Sequence, residues 1–273
     1  VCEYQVLAQQ KDVMLDSNKM GDSVALDATT LIKSSNDPDF NGVISDGAAG
    51  FYVYTNWEDR PGSMSRLNIS GLTSNGYSTI SQQGMLDFSS VGGTWVNCFG
   101  TVSPWNTPLS AEELYFDNTE DWYDASGSSF GNPQALAQYL GLATDGNDVS
   151  WPNPYKYGYN VEIGVDGTAT ATALADVKVN KLEALGRFSH ENAVVMPDNR
   201  TVFMSDDGTG VVFFKFVADV ANDLSAGTLY AAKVTQTQYV SDPREAAFAI
   251  EWIELASGNE TDIEAFIADY DGT

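Results

Sequence analysis

The only histidine of the 273-residue chain, His190, is followed directly by Glu191 and, fifteen residues later, by the acidic pair Asp206 and Asp207. Carboxylates are the oxygen ligands that hard cations such as Ca²⁺ prefer, so these side chains have the chemistry of a metal site. A core histidine beside a surface carboxylate, followed by an ordinary Asp-Asp-Gly hairpin turn, accounts for the same residues. The segment by itself leaves both interpretations open.

A second segment, residues 97–113, carries the thiol of Cys98 and the adjacent carboxylates of Glu112 and Glu113. A thiolate prefers transition metals, whereas carboxylates suit Ca²⁺ and Fe³⁺-like ions, so the segment offers both kinds of ligand. Alternatively, Cys98 is a small buried hydrophobic residue and the two glutamates are solvated. Cys2 is the other cysteine, and a Cys2–Cys98 disulfide remains open at this stage.

The charge of the chain limits its partners. Thirty-eight Asp and Glu against thirteen Lys and Arg give a formal net charge of −25, which repels a phosphate backbone or an anionic bilayer. We therefore expect no nucleic-acid partner and, since no run of eighteen apolar residues occurs, no membrane span. An anionic small substrate would need bound cations in its site, while a solubility surface for salty surroundings explains the same charge.

The pattern of short β-branched and aromatic runs between Gly, Asn, Asp and Pro predicts an all-β fold of the sandwich, barrel or propeller kind. Two segments repeat an aromatic strand, an acidic turn with glycine and a second strand, which favours propeller blades, about five for this length. We expect one β-propeller-like domain over residues 1–273, with an insertion at about 117–153 that contains a helix at 133–142. Residues 262–268 are expected to be helical, and the clearest predicted strands are residues 51–55, 159–165, 193–196, 201–204 and 211–217.

Four segments carry distinctive motifs. They are, in chain order, Asn56-Trp57-Glu58, then Asn97-Cys98-Phe99-Gly100 with Pro104-Trp105-Asn106-Thr107 and Glu112-Glu113, then residues 153–163, then residues 186–191 with Asp206-Asp207. Taken together, these segments resemble the PhoX-type alkaline phosphatases, a secreted bacterial and algal family. The resemblance extends from about residue 40 to residue 235.

The resemblance implies a β-propeller whose central site holds Fe³⁺, bridged by a cysteine thiolate, beside Ca²⁺. It implies a metal-dependent phosphatase that acts on small phosphate esters and is secreted, either to the extracellular space or to the periplasm. Three Asn-x-Ser/Thr sequons, at Asn68, Asn199 and Asn259, are compatible with secretion. The residues so implied are Cys98, Glu113 and Glu191 as metal ligands, Glu58 and Asp207 on the calcium side, and His190, Glu112 and Asp206 as residues that orient the ligands.

The sequence also departs from the family pattern. Trp57 replaces the family's histidine, Asn106 replaces a glycine, and the family's later Arg-Pro-Glu segment does not occur in these residues. We therefore expect this chain to be the N-terminal portion of a longer one, with an incomplete propeller completed by a missing segment or by self-association. Two other functions stay open, namely a non-catalytic extracellular scaffold such as a filament or surface-layer subunit, and a calcium-only carbohydrate-binding or lactonase-like propeller.

Overall fold

The computed structural model describes residues 4–27, 29–72, 74, 76–113, 122–123, 131–142 and 150–269. Within these residues the aromatic and β-branched runs form antiparallel strands, because alternate side chains can then be buried on one face of a sheet. The strands are β1 Asp22–Val24, β2 Leu31–Ser34, β3 Pro38–Ser45, β4 Phe51–Trp57, β5 Ser63–Leu72, β6 Ser78–Met85, β7 Asn97–Val102, β8 Pro108–Glu112, β9 Asn160–Ile163, β10 Val179–Leu182, β11 His190–Val195, β12 Thr201–Asp206, β13 Phe213–Val220, β14 Asp223–Gln238 and β15 Ala247–Asn259.

The strands make four antiparallel sheets in which neighbours in space are neighbours along the chain. The first sheet has the order β3-β4-β5-β6, the second β10-β9-β8-β7 and the third β11-β12-β13-β14-β15, while β1 and β2 form a separate pair. The prediction of an all-β fold is confirmed. A closed ring of sheets is not found among the described residues, so the propeller itself stays a prediction.

The helices of the described residues are short. Helix α1 covers Gly131–Tyr139 and helix α2 covers Glu260–Ala268, close to the two predicted helical segments. None of the helices in this part of the chain has the length and apolar composition needed to span a bilayer. Much of the predicted insertion, namely residues 117–121, 124–130 and 143–149, lies outside the described residues.

Apolar clusters hold the three larger sheets together. Tyr54 and Met64 of the first sheet pack with Val161 and Ile163 of the second in one buried cluster. A separate cluster joins the second sheet to the third through side chains such as Leu109, Leu182, Met204 and Phe216. The strands that come first along the chain in the three larger sheets, β3, β7 and β11, lie side by side. Strand β7 is in contact with both β3 and β11.

Two half-buried carboxyls lie where α2 meets the second sheet. The Asn180 Nδ2 group donates a hydrogen bond of 3.1 Å to Glu260 Oε2 at the start of α2, and Glu183 lies close enough to Glu260 to repel it. Burial, followed by repulsion from nearby carboxylates, raises the pKa of Glu183 and of Glu260 from an ordinary 4.5 to about 7. Between these two pKa values, the folded protein therefore keeps protons on Glu183 and Glu260 that the unfolded chain has released.

We expect these two carboxyls to make the fold less stable as the pH rises. A raised folded-state pKa gives stabilisation that is complete below the unfolded pKa of 4.5 and is lost as the pH rises through about 7. The free energy of unfolding is measured in urea at about pH 5 and about pH 8. Its decrease between the two pH values should be smaller in the double variant Glu183→Gln/Glu260→Gln than in the wild type. Glu254→Gln, on an exposed side chain, is the matched control; equal pH dependence in all three proteins would contradict the prediction.

Candidate metal centre

One thiol and several carboxylates from three different sheets converge. Ligand atoms of Cys98, Glu113 and Glu191 all lie within 4.8 Å of one another, and so do those of Asp39, Glu58 and Cys98. The Cys98 Sγ atom is common to both groups, at 3.3 Å from Asp39 Oδ2 and 3.7 Å from Glu191 Oε2. We call Asp39, Glu58, Cys98, Glu113, Glu191 and Asp207 the thiol–carboxylate cluster.

The same hairpin position supplies a cluster residue in each of the three sheets. Asp39, Cys98 and Glu191 are each the second residue of the first strand of their sheet, in β3, β7 and β11 respectively. Because these three strands lie side by side, equivalent positions along them meet at one place. The cluster therefore forms because each of the three sheets places a ligand residue at the same position of its first strand.

The second strand of each hairpin supplies the other half of the cluster. The residue directly after β4, β8 and β12 is Glu58, Glu113 and Asp207 respectively. In an antiparallel hairpin the end of the second strand lies opposite the start of the first, which brings each of these residues beside its partner. The three backbone N–H groups donate to the carbonyl that precedes the first strand, at 2.9, 3.1 and 2.9 Å, the acceptors being Asp37, Val96 and Ser189.

Each first strand also has a β-bulge at its cluster residue. The pairing register shifts between Pro38 and Asn41 in β3, between Asn97 and Gly100 in β7, and between His190 and Asn192 in β11. A bulge adds an unpaired residue and re-aims its side chain, which is a common device next to functional sites. The bulges turn the cluster side chains towards one another at the cost of regular ladder hydrogen bonds.

Hydrogen bonds hold the backbone of Cys98 in place. The fully buried Asn56 donates from Nδ2 to the Cys98 carbonyl at 2.5 Å and accepts at Oδ1 from Ser110 Oγ at 3.1 Å. Asn97 in turn donates to Ser110 Oγ at 3.0 Å. A Cβ atom on Gly62 would overlap Asn97 Oδ1, so a glycine is required where this loop approaches the network. The thiol is therefore presented by a fixed segment of chain.

The cluster makes a free Cys98 thiol a very weak acid. Cys98 carries a free thiol that is buried, with 5% of its surface exposed, and burial is the largest cause of its raised pKa. A hydrogen bond with Asp39 and the negative charges of Glu58, Glu113 and Glu191 raise the pKa of Cys98 further. Ionisation of this sulfur therefore requires a compensating positive charge.

The carboxylates of the cluster disfavour one another's charge. Burial raises the pKa of Glu113 to about 7, and a hydrogen bond with Asp207 and the charges of Glu58 and Glu191 add to the effect. The pKa values of Glu58 and Glu191 are also raised, first by burial and then by repulsion from Asp37 and Asp207 respectively. None of the ion pairs found among the described residues involves Glu58, Glu113 or Glu191.

The donor set fits metal ions. A cysteine sulfur beside hard carboxylate oxygens offers ligands for a transition metal and for Ca²⁺ at the same place. Bound cations would lower the pKa values that crowding and burial raise, because a positive charge favours both the thiolate and the carboxylates. Cys98 is buried, whereas Asp39, Glu58 and Glu191 are half-buried, so part of the cluster is accessible to solvent.

His190 is a neutral, buried residue. Its Nε2–H donates to the Gly186 carbonyl at 2.9 Å, and its Nδ1 accepts from Asn160 Nδ2 at 2.7 Å, the tautomer that suits both partners. Its ring stacks on Phe188 at 3.6 Å, and burial lowers its pKa to about 3. Its hydrogen bonds therefore go to a loop carbonyl and an amide, and any effect on the cluster passes through the backbone shared with Glu191.

The two remaining predicted support residues occupy different environments. The carboxylate of Glu112 is fully buried and lies 2.9 Å from Lys181 Nζ, so it faces away from the cluster residue that follows it in sequence. Asp206 is half-buried at the end of β12, opposite His190 in the strand register. Cys2, the second cysteine, lies outside the described residues.

Asp39 is the cluster residue that the sequence interpretation missed. The motif Asp37-Pro38-Asp39 has the composition of a turn, and its carboxylates are separated along the chain from every other cluster residue. The available signal was positional, since Asp39 stands at the start of a strand, as Cys98 and Glu191 do. That signal becomes visible only once the three first strands are known to lie together.

An all-β chain with a thiol and several carboxylates gathered at the ends of its hairpins has the features of a metal-binding protein. A family model described as alkaline phosphatase PhoX matches residues 53–272, and the chain belongs to that family. The matched range contains every cluster residue except Asp39. A search of curated proteins and a search of solved structures each gave no significant match.

Proposed function

We propose that the protein is a secreted, metal-dependent phosphatase that hydrolyses small phosphate esters with Fe³⁺ and Ca²⁺ held by the thiol–carboxylate cluster. The observation that carries the proposal is the convergence of Cys98, Glu113 and Glu191 with Asp39 and Glu58, in a chain of the PhoX family. The cations also explain how a chain of net charge −25 can receive an anionic substrate.

The cluster residues have separate tasks in this proposal. Metal ions held by the cluster would supply positive charge that polarises the phosphoryl oxygens and stabilises the charge developing on the attacking and leaving oxygens. Cys98 selects a transition metal, because a sulfur ligand is softer than any carboxylate around it. Glu113 and Glu191 would hold the same ion as Cys98, and Glu58 and Asp207 would hold calcium, with Asp39 as a further ligand on the Glu58 side.

The first test is metal dependence. We expect the purified protein to contain iron and calcium and to release the chromophore from an aryl phosphate ester, because metal ions held by the cluster would supply the positive charge on which substrate binding depends. Removal of the metals with a chelator should abolish turnover, and re-addition of iron and calcium should restore it. Metal content is measured by mass spectrometry on the same samples. A folded protein that is loaded with both metals and still releases no phosphate would show the proposal to be wrong.

A second candidate function, a non-catalytic extracellular scaffold or filament subunit, is favoured by one observation. The long hairpin of β14 and β15 exposes large apolar side chains, among them Phe248, Ile250 and Leu255, and β15 lies at the edge of its sheet. Exposed sheet edges pair readily with other chains. Ordered polymers in electron micrographs of the purified protein, without phosphatase activity, would favour this function over the first.

A further inference from the structure

We propose that the buried ion pair between Glu112 and Lys181 is a positioning device that fixes the spacing between Cys98 and Glu113. The inference rests on the proposed metal centre, but its geometry belongs to the second sheet alone. Glu112 and Lys181 are 0% and 3% exposed at the side chain and lie 2.9 Å apart. Charges buried to this degree require partners for every donor and acceptor, so their contacts show which segments the pair holds in place.

The carboxylate of Glu112 connects three strands of the second sheet. Its Oε1 atom accepts from the Trp95 backbone N–H at 3.0 Å and from Lys181 Nζ, while Oε2 accepts from the N–H groups of Gly158 and Tyr159 at 3.0 Å each. One side chain of β8 therefore binds the segment just before β7, the segment just before β9 and strand β10. Lys181 is held by further contacts of its own.

Lys181 has a complete set of partners. Its Nζ group donates to the Lys156 carbonyl at 2.7 Å and lies 4.3 Å above the centre of the Tyr157 ring, a cation–π contact. These contacts hold the ammonium group against Glu112 Oε1, the oxygen that also accepts from the Trp95 N–H. The ion pair is thereby anchored at both ends.

Regular strand pairing does not fix the position of Cys98, because the bulge interrupts the β7–β8 ladder between Asn97 and Gly100. The bonds just before the bulge take over this role. Glu112 holds the Trp95 N–H through its side chain, and the next residue, Glu113, donates its N–H to the Val96 carbonyl at 3.1 Å. The segment that leads into Cys98, residues 95–97, therefore keeps its distance from Glu113 only while the Glu112 carboxylate stays in place.

The test compares the wild type with Lys181→Met, which removes the ammonium group and keeps an unbranched side chain. At a temperature where the variant is folded, the dissociation constants for calcium and for iron supplied as ferric citrate should rise by about 10- to 100-fold. Glu112→Gln, which keeps an oxygen for Gly158 and Tyr159 but loses the ion pair, should change in the same direction. It serves as the second variant should Lys181→Met not fold.

Arg66→Met is the matched control. Arg66 is another fully buried cation, bonded to Gln83, Tyr54 and Thr172 and to no residue of the cluster. Its loss should lower stability as the loss of Lys181 does, yet leave the metal dissociation constants of the folded protein unchanged. The pair of variants therefore separates positioning of the ligands from a general contribution to folding.

A readout that needs no metal separates this inference from the proposed function. In a Cys2→Ser background, iodoacetamide should modify the Cys98 thiol several-fold faster in metal-depleted Lys181→Met than in the wild type or Arg66→Met. Faster modification in a protein that takes up neither metal would refute the proposed function and support the positioning role. Unchanged modification, or unchanged metal affinity in a folded Lys181→Met or Glu112→Gln variant of a metal-binding wild type, would overturn the positioning role.

Discussion

Replacement of Cys98 with serine is expected to remove iron from the protein and to lower phosphatase activity by at least about 100-fold, while calcium binding stays nearly intact. Serine has almost the same size as cysteine, but its hydroxyl is a poor ligand for a transition metal. The carboxylates of Asp39, Glu58, Glu113 and Glu191 remain to hold calcium. Iron and calcium contents and the rate of aryl phosphate hydrolysis are measured on the same preparation.

The other cysteine provides the control for this substitution. Cys2→Ser removes the other thiol of the chain and should change neither iron content nor activity. Full iron content and full activity in Cys98→Ser would refute the sulfur-ligand assignment. Activity that survives with calcium alone would favour a calcium-only site, which is the chemistry expected of a lactonase-like or carbohydrate-binding relative.

Trp95→Ala is expected to destabilise the fold by about 3–5 kcal/mol, the range for truncation of a large buried aromatic side chain. Trp95 is fully buried, and its ring centre lies 4.8 Å from that of Trp122 and 6.2 Å from that of Tyr157. The truncation leaves a cavity between α1 and the second sheet, next to the segment that leads to Cys98. Urea denaturation followed by circular dichroism gives the free energy of unfolding.

Two further variants give this measurement its scale. Tyr239 is 81% exposed. Its replacement with alanine should change the free energy of unfolding by no more than about 0.5 kcal/mol. Trp95→Phe keeps part of the ring contacts and should fall between the wild type and Trp95→Ala. A loss in Trp95→Ala no larger than that in Tyr239→Ala would contradict the packing described for this cluster.

The strands were predictable from the sequence where side-chain pattern decides them. The aromatic run of β4 and the alternating run of β12 were predicted, because β4 is buried on both faces and β12 buries alternate residues. Strand β11 begins three residues before its predicted start, at His190, where polar residues hide the strand signal. Strand β9 ends at Ile163, short of the prediction, because Gly164 adopts a left-handed conformation with φ of 87°.

The site was predictable only in part, for a physical reason. Motif resemblance pointed to Cys98, Glu113 and Glu191, and the structure brings these three together. Asp39 and Lys181 lie in segments without a motif, and their roles come from the packing of whole sheets rather than from local sequence. A bulge depends on the pairing of two strands, so it leaves little trace in either strand alone.

The state of His190 has a consequence for enzymology. The chain's single imidazole is buried and uncharged, with a pKa lowered to about 3, so it stays neutral across the whole range in which histidines usually titrate. An inflection near neutrality in a pH profile of phosphatase activity, where one is measured, would have to be assigned to another group. Modification by an imidazole-directed reagent would likewise report unfolding or a side reaction, and diethyl pyrocarbonate is not a usable probe of the thiol–carboxylate cluster.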